Sequence, residues 1–325
     1  MRILIVSIAV VLVLAMVLAA AIAFDAPKTP PVMPSVAKSL DHVDFSDLPA
    51  MSHFTARDGT ALATRAYPGD PARVVILVHG SSGTTASMHA VAQALHRAGA
   101  TVYALAMRGH DHTGRMGDVD YVGQLDDDVA DFVATLGARK PGERRVLVGF
   151  SSGGGFALRI AGGPYGKLFD RYVLVSPFLR YDAPTTRANG GGWTRVAVAR
   201  IAGLTALDRL GIHRFDYLPI IAFAVAPEMM QVQTAFYTYR MMRNFQPHDD
   251  YLGDLARAPA PVALVVGEKD EIFKADRYAP LLKPVRPDLA VTIVPGVNHM
   301  GMIATPEGTR AIAAAALARD EGPPP

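Results

Sequence analysis

The chain has 325 residues, half of them hydrophobic, with 32 basic and 30 acidic side chains and no cysteine. Its apolar content can build a sizeable core, and the +2 formal charge comes without any Lys/Arg block of the kind that binds nucleic acid. The missing thiols exclude disulfides, thiolate metal sites, a cysteine nucleophile and a lipidated cysteine, an absence that fits an oxidising compartment.

The first predicted element is an apolar run from Ile3 to Phe24, broken only by Ser7 and preceded by Arg2. A helix of about 20 such residues spans the hydrocarbon core of a bilayer, so residues 1–24 read as a transmembrane anchor. Ala21-Ile22-Ala23 also fits the small-x-small cleavage site of a signal peptide. Signal-peptide cores run to about 7–15 residues, which favours the anchor. Under both readings Arg2 stays cytoplasmic and the remainder is extracytoplasmic, either membrane-anchored or, after cleavage, secreted or periplasmic. Residues 25–50, rich in Pro, Ser and Lys and without evident periodicity, read as a tether carrying no core.

A folded domain is expected over 51–320. It opens with strand-like runs at Ser52–Arg57 and Ala61–Tyr67 around Asp58-Gly59, a two-residue hairpin signal. Continuous β-branched runs follow at Arg73–Val78, Thr101–Ala106, Arg144–Phe150, Tyr172–Val175, Val262–Val266 and Ala290–Val294, each suited to a strand buried on both faces. Helical patterns at Thr85–Ala98, Val122–Leu136 and Ser152–Ala161 lie between them. Strands alternating with helices predict an α/β fold with a doubly wound, mostly parallel sheet. The spacing breaks once, over about 180–256, which is too long for a simple crossover and reads as an inserted helical lid. Residues 321–325 form a Pro-rich tail.

Val146 to Phe150 is a buried-strand pattern running into Gly149-Phe150-Ser151-Ser152-Gly153 and then a helix. A Ser in G-x-S-x-G on such a strand-to-helix turn is lifted above the sheet edge, with glycines where a Cβ would strike neighbouring backbone. Ser151 is therefore the candidate nucleophile. The competing readings are an ordinary helix-capping Ser and Ser152 as nucleophile, which would shift the glycines out of pattern. A serine hydroxyl needs a base, and the base an orienting acid. Asp270 stands just past Val262–Gly267, where open α/β sheets place their sites; its neighbours Glu268 and Glu271 read as solvated loop charges. His299 follows the last strand and completes the chain order Ser, Asp, His. The small-residue loop His79-Gly80-Ser81-Ser82-Gly83 ends the first long strand, so the backbone amides of Ser81 and Ser152 are the candidate oxyanion hole. His110-Asp111-His112 lacks a third ligand for a metal, and Gly162 to Lys167 has the wrong spacing for a phosphate-binding loop.

From Met51 to about Ala318 these motifs resemble the α/β-hydrolase superfamily, most closely its serine aminopeptidase-like, monoglyceride-lipase-like and lysophospholipase-like branch. The resemblance implies that Ser151, Asp270 and His299 form a catalytic triad, that Ser81 and Ser152 supply the oxyanion hole, and that no cofactor or metal is needed. Arg108-Gly109-His110 resembles the family's R-G-H-G element, with Asp111 in place of the last glycine and Met107 before the arginine.

The substrate is expected to be a small-molecule ester or a lipid-like one. Leu218–Pro227 is almost wholly apolar, and Met229, Met230, Phe236, Met241, Met242 and Phe245 follow it, which suits either an adaptable acyl-chain pocket or simple packing of the lid. A peptidase or amidase of the same fold is the alternative, with Asp182, Asp208, Asp216 or Glu228 available to hold a substrate amino group. A non-catalytic binding relative is a third class.

Overall fold

The structure is a computed structural model that describes residues 2–318; the 321–325 tail lies outside the described residues. Its strands, in chain order, are β1 (Met51–Thr55), β2 (Ala61–Tyr67), β3 (Asp70–Val78), β4 (Ala100–Leu105), β5 (Arg144–Phe150), β6 (Arg171–Val175), β7 (Thr194–Val196), β8 (Pro219–Phe223), β9 (Phe236–Thr238), β10 (Val262–Gly267) and β11 (Ala290–Val294). Its α-helices are α1 (Arg2–Phe24), α2 (Pro34–Ala37), α3 (His89–Arg97), α4 (Gln124–Thr135), α5 (Ser152–Gly162), α6 (Val198–Arg209), α7 (Tyr239–Asn244), α8 (Tyr251–Arg257), α9 (Tyr278–Leu282), α10 (Gly301–Ala304) and α11 (Pro306–Leu317).

Eight strands form one sheet in the order β1-β2-β4-β3-β5-β6-β10-β11. The hairpin β1-β2 and the pair β2-β4 are antiparallel, and the rest of the ladder is parallel. Successive side chains of a strand point to opposite faces, and β3 divides its apolar residues accordingly. Val74, Ile76 and Val78 enter a core with Val129, Phe132, Phe156 and Leu255, whereas Val75 and Leu77 enter a second core with Val91, Leu95 and Ile312. A run apolar at every position is therefore what a strand covered on both faces requires.

Three local expectations differ from the structure. β11 lies at the sheet edge with most of its residues exposed or half-buried, because helices cover one face of an edge strand less completely than a central one. The hairpin loop runs from Ala56 to Thr60 and closes through Ala56 N–H to Thr60 O at 2.9 Å, with Gly59 at φ +84°, so it is longer than two residues. The helix predicted from Thr85 begins as a 3-10 turn over Ala86–Met88 before α3.

The insertion between β6 and β10 is also not purely helical. β7, β8 and β9 form a small antiparallel sheet that carries α6 and α7, and the apolar run from Leu218 contributes β8 rather than a helix. Asp254 of α8 packs against α5, since a Cβ on Gly162 would overlap its backbone. That helix covers the main sheet instead of the cavity.

The N-terminal segment is bound to the domain. The last turn of α1 buries Ile22 against Leu204, Leu207, Ile220 and Tyr239. Arg200 donates to the carbonyls of Ile22 at 2.7 Å and Ala23 at 3.2 Å, and the Asp25 carboxylate accepts from the Ala199 and Arg200 amides at the start of α6. Residues 25–50 are not a coreless tether either, because Met33 and Val36 pack against the main core.

Candidate active site

At the end of β5 the chain turns sharply into α5, with Ser151 at φ 56°, ψ −119°. A residue with a Cβ is strained at such a φ, and the turn is held by Ser151 N–H to Val175 O at 2.8 Å and by Phe178 N–H to Ser151 O at 3.0 Å. A Cβ on Gly149 would overlap the Gly153 carbonyl, and one on Gly153 would overlap the His79 carbonyl. The glycines of the motif are thus explained by backbone-to-backbone approach. The Ser151 hydroxyl makes no capping bond to α5, so it is not an ordinary N-cap.

β10 delivers Asp270. One carboxylate oxygen accepts from the amides of Ile272 at 2.9 Å and Phe273 at 2.8 Å, and the other lies 2.8 Å from His299 Nδ1. Burial pushes the Asp270 carboxyl up, but the His299 charge and hydrogen bond, with the Phe273 amide, outweigh it and hold the carboxyl below its ordinary range. An ionised acceptor at Nδ1 requires that nitrogen to donate, which leaves Nε2 as the free base. His299 is 2% exposed, its ring 4.7 Å from that of Phe150 and 5.3 Å from that of Phe273.

Glu268 is exposed, as expected of a loop charge, whereas Glu271 is half-buried. Glu268 accepts from the Gly296 amide at 2.8 Å and Glu271 from the His299 amide at 2.9 Å, so two carboxylates after β10 hold the loop that carries the histidine. Ser151 and His299 line one cavity; among the described hydrogen bonds none joins Ser151 Oγ to His299 Nε2, a bond that commonly tightens only with substrate bound.

The loop after β3 passes against the Ser151 turn: a Cβ on Gly80 would lie 3.0 Å from Ser151 Cβ. The amides of Ser81 and Ser152 have no partner among the described residues. The loop is fixed by side chains from the insertion. Trp193 Nε1–H donates to Ser81 Oγ at 3.0 Å, and Ser82 N–H, on a residue at φ 59°, donates to the Tyr237 hydroxyl at 3.2 Å. Tyr237 O–H in turn donates to His110 Nε2 at 2.5 Å, since His110 Nδ1 faces the Arg108 carbonyl at 3.3 Å. His79 sits edge-on to His110 at 4.8 Å, with Nδ1–H donating to Gly80 O at 2.8 Å and Nε2 accepting from Met107 N–H at 3.3 Å. Burial lowers both imidazoles from the ordinary 6.5, His110 well below it, and pushes the Tyr237 phenol up so that it remains a donor.

Asp111 replaces the glycine of R-G-H-G at φ 50°, a conformation that Asp tolerates. Its carboxylate accepts from Thr85 N–H at 2.9 Å and Thr85 Oγ–H at 2.6 Å. Arg108 reaches Asp128 at 2.8 Å and Asp58 at 2.9 Å. This loop is a brace for the oxyanion-loop side of the site. The sequence did not single out Trp193 or Tyr237, and Glu271 read there as a solvated loop charge; the one signal it offered was that Trp193 is the sole tryptophan of the chain.

The cavity holds about 400 Å³ and is bounded by Gly80–Ser82, Phe150, Ser151 and His299, by Trp193, Ala224–Ala226 and Met229 of the insertion, and by residues of the segment before β1. Of the Met and Phe residues that suited either an acyl pocket or packing of the lid, Met229 alone lines the cavity; Met241 and Phe245 are buried in the main core and Met242 packs against the α6 cluster. None of Asp182, Asp208, Asp216 and Glu228 lines the cavity.

Residues 69–304 match the family described as serine aminopeptidase, S33. Over 249 residues the chain is 33% identical to a monoacylglycerol lipase of Mycolicibacterium smegmatis, covering 71% of this chain and 82% of that protein. Among solved structures, a monoacylglycerol lipase of Paleococcus ferrophilus superposes with a TM-score of 0.59 at 20% identity, over 78% of this chain and 98% of its own. A bacterial membrane phospholipase A superposes with a TM-score of 0.58 at 17% identity, over 98% of both chains. At these identities the solved structures speak to the fold alone.

Proposed function

The chain belongs to the serine aminopeptidase S33 family of α/β-hydrolases, and from that premise we propose that it is a membrane-anchored serine esterase for a single-chain, lipid-like carboxylic ester. The observation that carries the reading is the Asp270–His299 pair at 2.8 Å, in the same cavity as a serine held at positive φ on a strand-to-helix turn.

In this reading Ser151 Oγ attacks the ester carbonyl as His299 Nε2 takes its proton. Asp270 holds the ring in the required tautomer and stabilises the imidazolium. The oxyanion that forms accepts hydrogen bonds from the Ser81 and Ser152 amides. Collapse breaks the C–O bond, and His299 returns the proton to the departing alcohol. Water, deprotonated by the same imidazole, then attacks the acyl-enzyme and releases the acid and the free serine.

An ester is favoured over a peptide because the insertion presents Ala224, Val225, Ala226 and Met229 to the cavity, while Glu228 is exposed outside it and the other three carboxylates weighed for an amino group are engaged elsewhere. Asp182 pairs with Arg180, and Asp208 and Asp216 both face His213 at 3.2 Å. A bound α-ammonium would need a free carboxylate, and the one acidic residue lining the cavity, Asp41, is exposed to solvent on the segment before β1. The insertion is read as the lid over this cavity. Retention of α1 is supported by Arg200, which binds the Ile22 and Ala23 carbonyls at the place where a signal peptidase would cut.

The test is fluorophosphonate labelling of the full chain and of Ser151→Ala, with hydrolysis of nitrophenyl esters of rising chain length. Labelling and turnover lost together in the variant are expected. Equal labelling of the two proteins would require another nucleophile and end the proposal.

A further inference from the structure

Residues 33–45 precede the span that matches the family, yet Val36, Leu40, Val43 and Phe45 line the catalytic cavity together with Ser151 and His299. The segment is held at both ends. Upstream, the end of α1 is docked on α6 through Ile22, Arg200 and Asp25. Downstream, the Asp47 carboxylate accepts from Gln93 Nε2–H at 2.7 Å and lies 3.1 Å from His89 Nε2, while the Phe45 ring stacks on His89 at 5.6 Å. Between these anchors the chain leaves α2 through successive turns closed by Ser39 N–H to Val36 O, Asp41 N–H to Lys38 O and Val43 N–H to Leu40 O, and Val36, Leu40 and Val43 are half-buried while Lys38, Asp41 and His42 are exposed. A tether with no partner would have no reason to place its apolar residues on one side against a pocket containing the reactive serine.

We propose that Val36, Leu40 and Val43 form a subsite for the acyl chain of the substrate, so that the strap between the membrane helix and the first strand sets acyl-length preference. The inference deepens the esterase reading and rests on it. With the ester carbonyl at Ser151, an acyl chain leaving the reaction centre meets the strap on one side and Ala224–Ala226 and Met229 of the insertion on another. Each methylene taken from water into such a wall favours binding about fourfold, so a strap that shields several methylenes separates long from short esters by orders of magnitude. Because the strap continues directly from α1, the subsite lies on the part of the domain covalently nearest the bilayer from which a single-chain lipid would come.

The strap also contributes the exposed Asp41 to the lining, so the test places a charge at its half-buried apolar positions, with Val36→Glu and Leu40→Glu in the full chain in detergent. Both positions are half-buried on a segment outside the sheet, and Leu40→Gln repeats the experiment with a milder change. Labelling of Ser151 by a small fluorophosphonate reports an intact site in each variant. The expected result is that kcat/KM for nitrophenyl dodecanoate falls about tenfold or more while that for nitrophenyl butyrate stays within about twofold, since a charge is penalised only where apolar surface must cover it. Trp193, the sole tryptophan, lines the same cavity, so quenching by 12-bromododecanoate in a Ser151→Ala background measures acyl binding without turnover. Its dissociation constant should rise by a similar factor in the strap variants. Equal losses on both esters, or no loss on either, would overturn the subsite. If the unaltered chain hydrolyses neither ester the esterase reading fails, and the quenching titration then decides the subsite by itself.

Discussion

Tyr237→Phe removes one hydroxyl and leaves two buried groups without partners. Tyr237 is 3% exposed, Ser82 1% and His110 0%, so water does not replace the lost bonds. The Ser82 amide loses its acceptor and His110 Nε2 its donor. Leaving a buried polar group unsatisfied costs about 1–3 kcal/mol, so the variant should lose about 2–6 kcal/mol, a large share of the roughly 5–15 kcal/mol that holds a domain together. Ser82 is also peptide-bonded to Ser81, whose amide is the candidate oxyanion donor, and its positive φ is kept by the contact with Tyr237. Removing an oxyanion donor altogether costs about 10²–10³ in kcat; loosening one should cost less, about tenfold, with KM little changed. Urea denaturation followed by circular dichroism, with steady-state kinetics on a short nitrophenyl ester, tests both halves. A stability change within about 0.5 kcal/mol together with an unchanged kcat would refute the coupling of insertion to oxyanion loop.

Gly153→Ala should abolish fluorophosphonate labelling, because the new Cβ overlaps the His79 carbonyl and backbone cannot yield as a flexible side chain can; normal labelling would show that the turn is looser than described. Glu271→Ala frees the His299 amide, and kcat is expected to fall about tenfold through misplacement of the imidazole, with the secondary structure seen by circular dichroism unchanged; full activity would assign Glu271 no positioning role. His79 and His110 are held neutral below their ordinary 6.5, so the unfolded chain binds more protons than the folded one as pH drops beneath that value. Stability should therefore be fully present above about pH 6.5 and decline below it by up to about 1.4 kcal/mol per pH unit for each histidine, whereas a pH-independent denaturation midpoint between 7 and 5 would contradict their neutral burial. The intact mass of protein extracted from membranes should include α1, and Arg200→Ala, which unties the Ile22 and Ala23 carbonyls, should raise protease sensitivity near residues 22–25; a wild-type chain beginning after Ala23 would show the leader to be removed.

What the sequence determined on its own is whatever depends on residues close together along the chain or on the side-chain period of a strand. The parallel core of the sheet was legible because Val74–Val78 of β3, Val146–Phe150 of β5, Tyr172–Val175 of β6 and Val262–Val266 of β10 are unbroken runs without a charged residue, which only coverage of both faces rewards. Ser151, Asp270 and His299 were legible as candidates because each follows a strand that ends at the same sheet edge, and because a side chain on Gly149 is excluded by the backbone of Gly153, only four residues away. The tertiary structure alone decided which distant groups meet. Tyr237 and Ser82 are 155 residues apart, Trp193 and Ser81 112, and Thr85 and Asp111 26, and no local propensity encodes such pairs. The segment before β1 shows the same limit: its composition is that of a linker, yet Val36, Leu40 and Val43 acquire a face once packing supplies a surface for them. Burial of apolar area is non-directional, so a short apolar pattern states that a residue will be covered, and only the assembled chain states by what.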